Sequence, residues 1–239
     1  MSPDRRRHRG AHPEDARLFA EGWVAALRGA ASELSWLLGR GYQPKSALKL
    51  VGDRHRLSER QRLAVGRAAC PDESRERRRA SRVDARTVEG AELIVDGFNL
   101  VITLEAALGG GVLILCRDGC VRDLSSVHGS YRAVEETERA VLLAGEALDG
   151  LRPASVLWLF DKPVSNSGRL AERVRRAAHE RGWPWAAEVE FNPDRAIINS
   201  DRVAVTSDSN VLDRAARWLN LNPLVIGQSV PHPWLLDLS

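Results

Sequence analysis

The sequence lacks any apolar run approaching the roughly 20 residues that a membrane-spanning helix requires. No apolar core follows the basic opening "MSPDRRRHRG" either, so that stretch does not read as a secretory signal, and a cytoplasmic protein without membrane partners is expected. Cysteine is scarce: Cys70, Cys116 and Cys120 form an odd set that argues against a disulfide framework. Cys116 and Cys120 are spaced C-x3-C, but no second Cys or His pair stands at zinc-ligand spacing, so plain buried thiols are expected. The triple glycine 109–111 lacks the Lys-Ser/Thr of a phosphate-binding loop, which argues against nucleotide cradling there.

What is present is ordinary for a globular chain: 239 residues, 44% hydrophobic and 28% charged, enough for one large domain or two small ones. The small net charge of +3 conceals polarity. Residues 1–86 carry 20 lysines and arginines against 11 acids, and the remainder carries 15 against 21. A basic half joined to an acidic half suggests a polyanion-binding part, 1–86, beside a part with another task, 87–239.

The basic half reads as helical. Phe19, Trp23, Ala26, Leu27 and Ala30 recur at helical spacing within 14–39, and "LLGRG" supplies a glycine stop. A second helix begins at Pro44 and runs to Gly52. A third begins at Ser58, because Ser58-Glu59-Arg60-Gln61 is a capping box. Arg54, Arg56, Arg60, Arg62 and Arg67 crowd the last two helices, and Arg54, Arg60 and Arg62 are candidate phosphate contacts. A solvated polar face explains them as well. "RERRRASR", Arg75 to Arg82, reads as a charged linker or exposed helix.

From residue 91 short apolar runs alternate with helical patterns. Strands are expected at Leu93–Val95, Val112–Cys116, Val156–Phe160, Ala187–Glu190, Val203–Thr206 and Leu224–Ile226, with helices at 99–108, 132–148, 167–181 and 209–220. The Asp-Gly of "CRDGCV" suits a local hairpin. The alternation implies an α/β fold, a mostly parallel sheet with helices on both faces, preceded by a small all-α basic domain. Ligands of such sheets bind beyond the carboxyl ends of the strands. Three strands end there in acids: "LIVD" in Asp96, "VLWLFD" in Asp161 and "VAVTSD" in Asp208. Alone, Asp96 and Asp208 could be helix caps, and Asp161 could open a turn. Together they would raise one another's pKa unless a cation compensated, and Mg²⁺ favours such carboxylates.

"VDGFN", "VLWLFD" and "VAVTSD", in that order, resemble the motifs of the NYN branch of PIN-like nucleases over roughly residues 91–227. The whole chain also resembles an uncharacterised prokaryotic family of unknown function, through "ELSWLLGRGYQPKSALKLVGDRHRLSERQR" joined to "VDGFNLVITLEAALGGG"; that likeness brings no activity with it. The nuclease likeness implies a PIN-like Rossmannoid fold and metal-dependent hydrolysis of RNA with Mg²⁺ or Mn²⁺. Asp96, Asp161 and Asp208 would be metal ligands, Asn99 would orient a water or phosphate, and Ser207 would stand beside them. Gly97 would let the backbone turn tightly. A further acid is usual, and Glu135, Glu136, Asp194 and Asp201 are candidates, although 194–208 looks short for the helix the family carries there. His128, Arg132 and Lys162 are candidate substrate contacts, the first two in a polar loop that also holds Asp118 and Asp123. The basic helices would grip structured RNA. A PIN-like RNA-binding scaffold without catalysis is the alternative. A small-molecule phosphohydrolase or nucleotide-binding enzyme is a further one, although "DGFN" lacks the second aspartate that a haloacid-dehalogenase-like phosphatase places two residues after its nucleophile.

Overall fold

The apolar run at Leu93 becomes the central strand of a five-stranded parallel sheet in the computed structural model, which describes residues 8–125 and 129–239. Five helices come first: α1 (Asp15–Leu18), α2 (Glu21–Gly39), α3 (Pro44–Arg54), α4 (Glu59–Ala68) and α5 (Asp72–Ser81). Then follow β1 (Glu92–Asp96), α6 (Gly97–Leu108), β2 (Leu113–Leu115), β3 (Val121–Asp123), α7 (Thr137–Gly150) and β4 (Ser155–Asp161). The chain continues through α8 (Ser167–Arg181), β5 (Trp185–Glu190), α9 (Pro193–Ile198), β6 (Val203–Val205) and α10 (Ser209–Leu212). It closes with β7 (Trp218–Leu219), α11 (Leu221–Ser229) and β8 (Leu235–Asp237).

The large sheet has the order β5-β4-β1-β6-β7, every neighbouring pair parallel. Side chains alternate across it, so each strand serves two cores. Leu93, Val95, Val156, Trp158 and Phe160 pack under α6, α7, α8 and α11. Ile94, Leu159 and Ala204 face the other way, against Ile197 of α9 and Val211 and Leu212 of α10. Burial on both faces is what parallel strands require, and it explains why β1 reads as an unbroken apolar run.

A second, three-stranded sheet, β3-β2-β8, pairs the "CRDGCV" hairpin antiparallel and adds β8 in parallel. The strand expected at 112–116 therefore forms, but outside the large sheet. Ile114 and Cys116 from this hairpin, and Leu236 and Leu238 at the C-terminus, complete the core of α2–α4 with Leu27, Leu34, Val51 and Val65. The helices thus close their core on a sheet from beyond residue 86. All three cysteines are buried and free.

Three expected elements differ. The helix at 14–39 is interrupted at Phe19 and Ala20, and Ala20 takes an extended conformation. The helix expected over 209–220 ends at Leu212, and Trp218–Leu219 pairs with Ala204–Val205 as an added strand, because the indole of Trp218 is wholly buried there. The run Leu224–Ile226 lies in α11, not in a strand. Pro223 sits in that helix's first turn, where a missing N–H costs nothing, and three apolar residues alone carry no period. The capping box holds: Gln61 N donates to Ser58 Oγ, and Ser58 N to Gln61 Oε1. Among the described residues no helix is long and apolar enough to cross a membrane.

Candidate active site

β4, β1 and β6 are adjacent and parallel, so their acidic ends share one edge. Asp96 pairs in register with Leu159, which leaves Asp161 two residues further along β4. Val95 pairs with Val205, and Asp208 follows three residues later. Alternation decides where the carboxylates point. Asp96 shares the side of Ile94, and Asp161 that of Leu159, so both turn to the face covered by α9 and α10. Those short helices bring two more carboxylates, Asp194 in the first turn of α9 and Asp208 as the N-cap of α10.

Asp96 is the most buried of the four. Its Oδ1 accepts from Asn99 N (3.3 Å), capping α6, and its Oδ2 accepts from Thr206 Oγ1 (2.9 Å). Burial, and then the charges of Asp208 and Asp194, push its carboxyl up to about 7, against those two hydrogen bonds. Burial also raises Asp194, helped by Asp208 and Asp161 and opposed by Arg214, and burial raises Asp161. Asp208 Oδ1 accepts from Asn210 N (2.8 Å) and Val211 N (3.1 Å). Asp96 and Asp208 are therefore caps and members of an acidic edge at once. Among the described residues no basic side chain forms an ion pair with any of the four.

The loop carrying Asp208 is fixed from behind. Asn99 Oδ1 accepts from both Ser207 N and Ser207 Oγ, each at 2.8 Å. Asn99, expected to orient a water or phosphate, has this oxygen committed to the loop and acts as a positioning residue. The flanking carbonyls are held by buried guanidinium groups: Arg122 Nε donates to Ser207 O (2.8 Å) and Arg78 Nη2 to Ser209 O (3.2 Å). Both arginines share Asp118, with Arg78 Nη1 at 2.6 Å and Arg122 Nη2 at 2.7 Å from Oδ2. Burial alone would raise Asp118, but Arg122 and Arg78 outweigh it and hold the carboxyl at about 2. Asp118, read in sequence as part of a polar loop, is thus structural, and nothing in its spacing foretells Arg78 and Arg122.

Gly97 does not serve as a turn of unusual conformation. It opens α6, and a Cβ there would overlap the ring of Phe160, so the glycine lets the helix start lie against β4. Lys162 follows Asp161 at the same edge, its N–H donating to Glu190 O (2.8 Å). The loops expected to line the site meet beside it, since Tyr131 N donates to Ser165 O and Ser165 N to Gly129 O, both at 3.1 Å. Arg132 continues that loop and is exposed, while its carbonyl accepts from Arg9 Nη2. His128 lies outside the described residues.

The other predicted contacts do not reach this edge. Arg60 makes a two-pronged pair with Asp15, whose side chain is fully buried. Arg62 bonds Asp53 and the carbonyls of Leu57 and Lys49, and Arg54 pairs with Glu33 on the surface. Each of these three arginines is thus paired with an acid of the helical region itself. Of the further acids considered, Asp194 is at the edge, in the first turn of the six-residue α9, and only four residues of that helix lie between it and Asp208. Glu135 and Glu136 pair with His8, and Asp201 is exposed with its carbonyl bound by Arg217.

The donors at the edge are all carboxylate oxygens, the chemistry a hard divalent cation takes. As placed, however, no three His, Cys, Asp or Glu side chains among the described residues stand close enough to hold one ion.

Fold and edge define an α/β protein with an acidic rim at the carboxyl ends of a parallel sheet. The chain belongs to the family described as a domain of unknown function, DUF5616, which matches residues 85–223 and so contains all four acids. Residues 26–80 match a second family, described as a protein of unknown function, DUF434. The chain is 31% identical over 191 residues to an uncharacterized protein of Methanocaldococcus jannaschii, covering 78% of this chain and 89% of that relative. No solved structure matches it.

Proposed function

We propose that the acidic edge is the centre of a metal-dependent ribonuclease of PIN-like, NYN-type topology. One observation carries the reading: Asp96, Asp161, Asp194 and Asp208 converge on one face of one sheet edge with no ion pair among the described residues, while Asp118, as buried as Asp96, has two guanidinium partners. Proteins neutralise structural buried acids, and acids left with raised pKa values at a sheet's carboxyl edge are functional candidates. Asp96, Asp161 and Asp208 would hold Mg²⁺ or Mn²⁺, with Asp194 as the fourth acid. A bound ion would supply activation of a water and compensation of charge at phosphorus. Asp161 and Asp194 are only half-buried and are free to turn toward it. Asn99, Arg78 and Arg122 hold Asp208 in position, and Lys162 contacts a substrate phosphate.

Incubation of mixed RNA with the protein and Mn²⁺ tests the proposal. Cleavage is expected for the wild type and loss of about a hundredfold or more for Asp96→Asn and Asp208→Asn. Equal degradation by wild type and variants would falsify it. The spacing of the acids favours one other reading, an RNA-binding protein without catalysis. Binding that survives both substitutions, with no cleavage by the wild type, would establish that reading instead.

A further inference from the structure

Phe191 is the most exposed large apolar side chain among the described residues, at 68%. It is the first residue after β5, beside the strand that ends in Asp161. Its position is fixed: Phe191 N donates to Glu190 Oε1 (2.7 Å), and the next residue, Asn192, accepts from Arg195 N (3.0 Å) to cap α9. The ring is therefore presented on pinned backbone, held out of both cores. Lys162 Nζ lies 4.2 Å from its centroid, over one face. A cavity of about 470 Å³ opens alongside, lined by Asn192, Asp194, Arg195, Asn210 and Arg214. Arg195 has no ion pair among the described residues, and Arg214 bonds the neutral Asn210.

An exposed aromatic ring with cations beside it, next to acids that would act on a phosphodiester, matches what single-stranded nucleic acid requires. Successive bases stack on aromatic faces while cations follow the backbone. A base within a duplex has both faces occupied by its neighbours, so only an unpaired one can use the ring. We propose that Phe191 is a stacking platform for an unpaired base of single-stranded RNA, with Lys162 and Arg195 on the flanking phosphates. The inference rests on the ribonuclease reading and names its substrate class.

Fluorescence anisotropy with a labelled 12-nucleotide oligouridine in EDTA separates the two claims, because binding is measured without cleavage. The wild type should bind the single strand at least tenfold more tightly than its duplex with oligoadenosine. Phe191→Ala and Phe191→Leu should each weaken binding by about tenfold, and Phe191→Trp should retain it. Lys162→Gln should lower the slope of log affinity against log salt by about one. Unchanged melting temperatures would show that all four variants fold. Loss in Phe191→Ala but not in Phe191→Leu would indicate apolar docking and overturn the proposal, as would no binding by the wild type or equal affinity for duplex. Single-strand preference without any RNA cleavage in Mn²⁺ would leave the platform standing and remove the nuclease.

Discussion

Asn99 and Ser207, at the carboxyl ends of β1 and β6, are joined by two hydrogen bonds to one oxygen, Asn99 Oδ1. Ser207 is almost completely buried, so its amide has no water to turn to if that oxygen is removed. Asn99→Ala should cost about 1–3 kcal/mol, the penalty of a buried unsatisfied donor. It should also release the loop that carries Asp208. Urea unfolding reads the first effect and RNA cleavage the second. An unchanged unfolding midpoint would show that the loop does not need the contact.

Arg60 and Arg54 look alike in sequence but not in the fold. The Arg60 partner, Asp15, is fully buried, whereas Arg54 and Glu33 are both substantially exposed. Arg60→Ala strands a buried carboxylate and should destabilise by roughly 3–5 kcal/mol. Arg54→Ala should change stability by less than about 1 kcal/mol. Thermal unfolding in parallel checks both, and equal effects would remove the distinction.

That pair also shows what sequence alone conveys. The three acids, their strands and the parallel character of the sheet were legible, because a fully buried strand reads as an apolar run with polar residues at its carboxyl end; that the three strands are neighbours, in the order β4-β1-β6, was not. α8 was legible to the residue, since its apolar positions keep a clean helical period and Gly182 closes it in a left-handed conformation. β7 and α11 were not, because two or three apolar residues carry no period and long-range pairing decides them. Within the site, Asp194 was one acid among several until α9 placed it. The role of Gly97 depends on Phe160, which stands in another strand. Arg78 could not be told from a surface arginine, since its partner, Asp118, lies 40 residues away, and Arg122 meets the same carboxylate only because the hairpin is buried against the helices.

Asp118 predicts the acid limb of stability. Its folded pKa, about 2, lies below its unfolded value of 3.8, so the native state binds fewer protons between them. The stabilisation is present above about pH 4 and is lost as the pH falls toward 2. It amounts to about 2 kcal/mol at most. Acid titration of the unfolding free energy should show this loss, and Asp118→Asn should remove it while lowering stability at pH 7. A variant that keeps the same acid limb would assign it to other carboxylates.

Asp96 acts in the opposite sense. Its folded pKa, about 7, lies above 3.8, so the native state binds the extra proton and its favourable contribution is lost as the pH rises from about 4 through 7. In EDTA the protein should therefore be less stable at pH 8 than at pH 5 by ~2–4 kcal/mol from this group. Asp96→Asn should remove most of that difference, because an amide can still cap Asn99 N and bond Thr206. A divalent ion that binds the ionised edge should restore stability at pH 8, by about 2.7 kcal/mol at a hundred times its Kd. Differential scanning fluorimetry with and without Mn²⁺ reads this directly: the wild type should shift upward at pH 8, and Asp96→Asn should be more stable without metal yet shift little. The same Mn²⁺ shift in both proteins would place the ion elsewhere.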